Sequence, residues 1–312
     1  FLPFLPYAVE QLDLSKYDLI MSSSHAFAKG ILTSPDQLHI SYVHTPMRYA
    51  WDQMNTYIRN SNFKKYGLEI PLRYILFKLR EWDHISGKRP DYLIANSTFT
   101  SRRISKYWGL DSTIINPPVE TKRFKFSNSR ENFYLSVNRL VPNKRVDLLI
   151  KAFNKLRLPL IIIGDGPDKN FLKKISRENI KFYGNCSNKV TEQLLSKCRA
   201  FVYAGIEDFG IAPVEAMASG APVIAYGKGG LLDTVNCLSN PSPDKISTGI
   251  LFKKQSSEDI VDTVSWFEDK KIWKNFNAQD LNHFSQKFNP ENFELKIGKY
   301  ITNKLNKSAI KS

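Results

Sequence analysis

Leu160-Ile161-Ile162-Ile163-Gly164-Asp165-Gly166-Pro167 is the stretch that decides the fold. Four apolar residues in a row, three of them β-branched, run into a glycine- and proline-rich turn. A strand that is apolar at every position is covered on both faces, as in a parallel sheet with helices on either side. Just upstream, Val146, Leu149, Ile150, Phe153 and Leu156 recur at helical spacing, and residues 133–140 before them read as a strand. Downstream, 180–183, 200–204 and 222–226 are further short strands, with helical patterns over 191–198 and 211–219 between them. Strands alternating with helices of this length are βαβ units, so this half is expected to be doubly wound α/β.

The first half has the same grammar with looser spacing. Strands are expected at 18–22, 39–44 and 92–96, and a helix over about 71–82 carries Leu72, Ile75, Leu76, Leu79 and Trp82 on one side. A Pro-containing polar segment, 116–132, marks a boundary. The expected domains are therefore 1–125 and 126–312, with a terminal helix at about 290–305 that packs back on the first. At about 150 residues per domain, 312 residues suit two. Only three strands precede the boundary, fewer than a full Rossmann-like half needs. The chain opens on Phe1 and not Met, so the first domain is expected to be incomplete and the chain part of a longer one.

Forty-two per cent apolar and 24% charged residues describe an ordinary globular chain and leave out disordered and collagen-like classes. The excess of 45 basic over 30 acidic residues, +15, favours anionic partners without choosing among nucleotides, phospholipid headgroups and nucleic acid. No nucleic-acid motif accompanies the charge. No apolar run approaches the roughly 18 residues that a membrane span needs. Cys186, Cys198 and Cys237 are odd in number and show no CxxC spacing, which fits a reducing, cytoplasmic setting.

The segment Glu207-Asp208-Phe209-Gly210-Ile211-Ala212-Pro213-Val214-Glu215 follows a strand and opens a helix. Backbone N–H groups around Phe209, Gly210 and Ile211 would meet a phosphate at that helix N-terminus. Helical side chains lean towards the N-terminus, which tilts Glu215 to the end carrying Glu207. Two carboxylates there suit the hydroxyls of a sugar, each accepting from a vicinal diol; solvation of one and helix capping by the other is the plainer account. Arg139, at the end of a strand, and Lys144, after the next turn, would lie beyond the carboxyl ends of the sheet, where open α/β folds bind ligands. Two such cations would steady the charge of a departing diphosphate. Gly164, Gly229 and Gly230 follow strands and let backbone approach a ligand, though ordinary turns use the same residues. His44 ends the strand at 39–44, as either a crevice residue or a structural one, and His25 follows Ser22-Ser23-Ser24, with no GxSxG elbow. Residues 59–89 hold eight Lys/Arg against three Asp/Glu, interleaved with Tyr66, Tyr74, Phe77 and Trp82. That stretch suits an anionic membrane or a lipid-linked diphosphate, and equally a solvated helix face.

Taken together, these residues resemble the retaining glycosyltransferases of family 4, which have the GT-B fold. The likeness runs from Asn138-Arg139-Leu140 and Lys144 through Gly164-Asp165-Gly166-Pro167, the E-x7-E segment and Ala216 to Ala225, to Gly229-Gly230. Tyr42 to Asp52, Ala95-Asn96-Ser97 and Ile115 to Val119 add similarity to the subgroup of bacterial O-antigen mannosyltransferases. The resemblance implies two Rossmann-like domains with a cleft between them, and a donor that is a nucleotide-diphosphate sugar such as GDP-mannose. It further implies a saccharide or lipid-linked saccharide acceptor in surface-polysaccharide synthesis and no cofactor or metal, the latter in keeping with the lack of a DxD triplet, while the lack of a nucleic-acid motif sets a nucleic-acid partner aside. Such an enzyme would work in the cytoplasm or at the inner face of the membrane. By the same resemblance Arg139 and Lys144 hold the diphosphate and Glu215 the ribose. Glu207, with the backbone of Phe209 and Gly210, holds the transferred sugar, with His44 near it. Asn138, Arg145 and Asp233 depart from the family's usual Gly, Gly and Glu. The alternative is a non-catalytic remnant that still binds nucleotide.

Overall fold

The computed structural model describes residues 2–60, 67–238 and 246–309. Among the described residues are ten strands, which form two parallel sheets, and twelve α-helices. The strands are β1 Leu19–Ser24, β2 Leu38–Val43, β3 Tyr92–Ala95, β4 Thr113–Ile114, β5 Tyr134–Val137, β6 Leu160–Ile163, β7 Ile180–Gly184, β8 Ala200–Tyr203, β9 Val223–Tyr226 and β10 Gly249–Phe252. The helices are α1 Leu5–Glu10, α2 Met54–Asn60, α3 Glu69–Ser86, α4 Thr98–Trp108, α5 Val146–Leu156, α6 Lys169–Ile175, α7 Asn188–Lys197, α8 Ile211–Ala218, α9 Leu231–Thr234, α10 Ser257–Asp269, α11 Ala278–Ser285 and α12 Pro290–Ala309.

The chain forms two compact units, Phe1–Asn116 with Glu294–Ser312, and Pro117–Phe293. In the first, four parallel strands are ordered β1-β2-β3-β4. The fourth strand escapes the sequence pattern, because Thr113 and Ile114 are both exposed and two residues make no apolar run. Under this sheet Lys29, 1% exposed, bonds Asp83 at 2.7 Å, and the other Asp83 oxygen accepts from the indole N–H groups of Trp51 and Trp108 at 2.8 and 2.9 Å. A buried charge pair is tolerable only when its remaining hydrogen-bonding capacity is met in this way. Tyr300 and Lys304 of the closing helix line the same recess as Tyr92 and Thr113, with the Lys304 ammonium 3.8 Å from the Tyr92 ring centre.

The second unit carries a six-stranded parallel sheet ordered β10-β9-β8-β5-β6-β7. Strand β6 lies between β5 and β7 and is buried at all four positions, as its apolar run requires. Helix α5 buries Val146, Leu149, Ile150 and Phe153 against one face of the sheet, together with Val264 and Phe267 of α10. Val214, Met217 and Ala218 of α8 cover the other face, with Leu195 of α7. The expected strand at 133–140 is shorter, Tyr134–Val137, although the backbone N–H groups of Asn138 and Leu140 still donate to the carbonyls of Ile163 and Asp165 in step with that of Tyr134 to Pro159. Asn138 and Arg139 thus lie just past the carboxyl end of β5. No helix among the described residues is long and apolar enough to cross a membrane.

Candidate functional site

Three loops meet at the carboxyl edge of the second sheet. The loop after β8 runs from Ala204 to Gly210, and Gly210, at φ +98°, starts α8 without a side-chain cap. The first N–H groups of α8 therefore have no capping side chain, and Phe209, 4% exposed, anchors the loop in the core. The loop after β9 closes on it: Glu207 and Gly229 form an isolated parallel bridge, and the Gly230 N–H donates to the Glu207 carbonyl at 2.7 Å. A side chain at Gly230 would run into the backbone of Asp208 and Phe209, so the approach of the two loops depends on glycine there. Gly164, at φ +131°, is constrained in the same way by the Asn138 carbonyl.

The two carboxylates take separate partners. Lys144 and the Tyr203 hydroxyl both donate to Glu207 Oε1, with the Lys and Glu side chains about one-fifth exposed. Glu215 turns instead to Arg123, whose Nη2 donates to its Oε1 at 3.1 Å, while Arg123 Nε lies 3.5 Å from Glu192. Burial raises the Glu215 carboxyl above its usual value; Arg123 opposes that shift and Glu192 adds to it. The helical lean expected to bring Glu215 to Glu207 thus yields to an ion pair formed with a residue 92 positions earlier.

Arg139 and Lys144, expected as a pair, also differ. Arg139 is exposed and its side chain makes no hydrogen bond or ion pair among the described residues, whereas Lys144 holds Glu207. Arg139, Gly164 and Glu215 line one recess of about 540 Å³, with Arg123, Asn138, Asp165, Asn185, Asn188 and Thr191. An unpaired cation and a desolvated carboxylate facing one cavity suit a ligand with both an anionic group and hydroxyls. Sequence reasoning missed Arg123, which lies in an irregular stretch, and Tyr203, hidden inside a fully apolar strand; for Arg123 no local pattern signals it. Arg145, at φ +52°, pairs with Asp147.

In the first unit His44 follows β2, and its Nε2 lies 2.8 Å from the Ser23 hydroxyl; Ser22 meets His39 in the same way at 2.8 Å. The register of β1 on β2 sets Ser22 opposite Ser41 and Ser23 opposite Tyr42, so each histidine is the diagonal neighbour of its serine, two residues along the chain on the same face. His25 is exposed. On α3, Ile70, Tyr74 and Phe77 are exposed, while Arg73 and Lys78 pair with Glu69 and Glu81, each at 2.9 Å. The local basic excess is therefore partly neutralised along the helix. Tyr66 and its neighbours at 61–66 lie outside the described residues. Among the described residues no group of three or more His, Cys, Asp or Glu is placed to hold a metal.

The alpha-1,3/1,6-mannosyltransferase ALG2 of Candida glabrata is 25% identical over 224 residues, which cover 54% of this chain and 49% of that protein. The GDP-Man:Man(3)GlcNAc(2)-PP-Dol alpha-1,2-mannosyltransferase of Eremothecium gossypii is 26% identical over 210 residues, 56% of this chain and 36% of that protein. The chain spans about half the length, or less, of these curated relatives. Among solved structures, Anabaena HepE in complex with UDP and glucose superposes with a TM-score of 0.65 at 17% identity, covering 96% of this chain and 81% of that one. This likeness shows the fold, the α/β architecture of GT-B glycosyltransferases with two Rossmann-like sheets. The family model for glycosyl transferases group 1 matches residues 119–304, more than half the chain, so this protein is a member of that family.

Proposed function

We propose that this chain transfers a hexose, mannose in particular, from a nucleotide-diphosphate sugar to a saccharide or lipid-linked saccharide, with retention of configuration and without a metal. GDP-mannose is the proposed donor and surface-polysaccharide synthesis the setting, as in family 4 enzymes of the O-antigen type. The observation that carries this reading is the recess that joins the unpaired Arg139 to the desolvated Glu215. The names of the curated relatives support mannose and a lipid-linked acceptor; HepE, solved with UDP, keeps a uridine donor as the comparison.

In this reading Glu215 accepts from the ribose hydroxyls and Arg139 faces the diphosphate. Lys144 gives one N–H to Glu207, and an ammonium has two more for a phosphate oxygen. Glu207, oriented by Lys144 and Tyr203, accepts from the hydroxyls of the transferred sugar, next to the backbone of Phe209, Gly210 and Ile211. The bond between the anomeric carbon and the diphosphate oxygen breaks, and the acceptor oxygen bonds that carbon from the same face. The acceptor proton passes to the departing phosphate, whose charge Arg139 and Lys144 stabilise. His44 is proposed to assist transfer from its own unit. Peripheral contact with an anionic cytoplasmic membrane surface is proposed through the exposed Ile70, Tyr74 and Phe77.

The test is turnover of GDP-mannose and UDP-glucose by the purified chain, with the anomer read by NMR and excess chelator present. Retained configuration and undiminished turnover in chelator are expected, with a loss of about 100-fold or more in Glu207→Gln. Equal turnover by Glu207→Gln removes Glu207 from the mechanism, inversion removes retention, and binding without turnover identifies a nucleotide-binding remnant.

A further inference from the structure

We propose that Arg123 is a positioning residue of the nucleotide recess, holding the Glu215 carboxylate towards the ligand's ribose hydroxyls. This rests on the reading of the recess given above and adds a residue that lies outside the E-x7-E segment and the basic pair. Three elements meet at the Arg123 guanidinium. It sits in the short turn Thr121–Arg123, Glu192 in α7 and Glu215 in α8, and both carboxylates lie within 3.5 Å of its nitrogens. The turn is itself fixed: Thr121 donates to the Gln286 side chain at 2.9 Å, and the Val119 N–H to the Phe288 carbonyl at 2.8 Å. The Arg123 guanidinium lies 4.5 Å from the ring centre of the buried Phe124. A planar guanidinium seated on a ring and engaged on two edges has little rotational freedom, so the carboxylate it binds is held in one orientation.

Glu215 needs such a holder. Its side chain is 21% exposed and it lines the same recess as Arg139, a competing cation. A carboxylate that swung to Arg139 would block the phosphate and present no fixed acceptor to a diol. Arg123 engages Oε1, which leaves Oε2 and the second lone pair of Oε1 for hydroxyl donors. Arg123 thus acts on ligand through Glu215, and its contribution belongs to the sugar hydroxyls and not to the phosphates.

Calorimetry with GDP, UDP, their 2′,3′-dideoxy counterparts, guanosine and uridine separates these roles. The wild-type chain is expected to bind the ribose form of its preferred base about tenfold better than the dideoxy form. Arg123→Ala is expected to lose that discrimination, and to weaken the nucleoside and the diphosphate by the same factor of about ten. Wild-type discrimination that survives in Arg123→Ala overturns the inference and leaves the recess reading standing. A loss confined to diphosphates also overturns it, since Arg123 would then touch phosphate directly. A wild-type chain indifferent to the ribose hydroxyls overturns both. Arg123→Gln, which keeps the length of the side chain and removes its charge, carries the same test if the alanine variant does not fold.

Discussion

Burial disfavours charge at Glu215, whereas the proposed contact with ribose hydroxyls uses the charged form. Its folded pKa is raised, so between the ordinary carboxylate value and that folded value the folded protein binds more protons than the unfolded chain. Stability from this group is therefore fully present below the ordinary value and declines as the pH rises through the folded one. Glu215→Gln removes the titration and leaves Arg123 with Glu192 as its partner. The variant is expected to have a higher urea midpoint than the wild type at pH 7, with the difference shrinking towards pH 4, and to bind nucleotide about tenfold more weakly. A midpoint difference that is independent of pH would mean that the carboxyl is solvated in the folded chain.

At the scale of elements, the ends of α7 and α8 matter most, because both helices flank the recess. Each would leave carbonyls unpaired at its C-terminus. One guanidinium answers both: Arg130 Nη1 donates to the carbonyls of Ser196, Leu195 and Cys198 at 3.0, 3.3 and 3.4 Å, and Nη2 to Ser219 at 3.2 Å and to Gly220. Its burial pushes the guanidinium pKa down, against a group that stays charged regardless. Arg130→Met is expected to cost the second unit about 3 kcal/mol in urea unfolding, from carbonyls left without donors; a change under about 0.5 kcal/mol would show that water serves them equally well. No sequence pattern reveals Arg130 or Arg123, since each acts on residues more than sixty positions away through an irregular segment. Repetition is what made elements legible. The five-residue helical pattern marks α5 to its ends, and the apolar run marks β6, because those residues are buried for local reasons. Strand β10 and helices α10 and α11 fall outside the expected elements. Yet Ser256 caps α10 by accepting from Asp259, and Ile260, Val264 and Phe267 follow at helical spacing, a signal of the usual kind. The glycines, Arg139, Lys144 and Glu207 were legible by their places after strands, and Glu215 by its place inside the helix that the loop opens; which carboxylate meets which cation depends on tertiary contacts.

Over the whole molecule, each unit has its own core and its own kind of stabilisation, so binding at the proposed recess is expected to be separable from the rest of the fold. The Lys29–Asp83 pair and its indole partners belong to the first unit, and every residue of the recess belongs to the second. Asp83→Asn leaves a buried ammonium facing a neutral amide and is expected to cost the first unit about 3–5 kcal/mol. Of the five tryptophans, Trp51, Trp82 and Trp108 lie in the first unit and Trp266 and Trp273 in the second. A Trp266→Phe, Trp273→Phe background therefore reports the first unit by fluorescence, while Arg130→Met marks the second by its lost stability. A nucleotide at about 100 times its Kd adds about 2.7 kcal/mol to whatever unit binds it and none to a unit that does not. GDP or UDP is thus expected to restore most of the Arg130→Met loss, read by hydrogen exchange of the amides of β5, β6 and β8. The fluorescence transition of Asp83→Asn is expected to stay where it was. Recovery of that transition with nucleotide would mean that the binding free energy is shared with the first unit, and that the recess alone does not account for donor affinity.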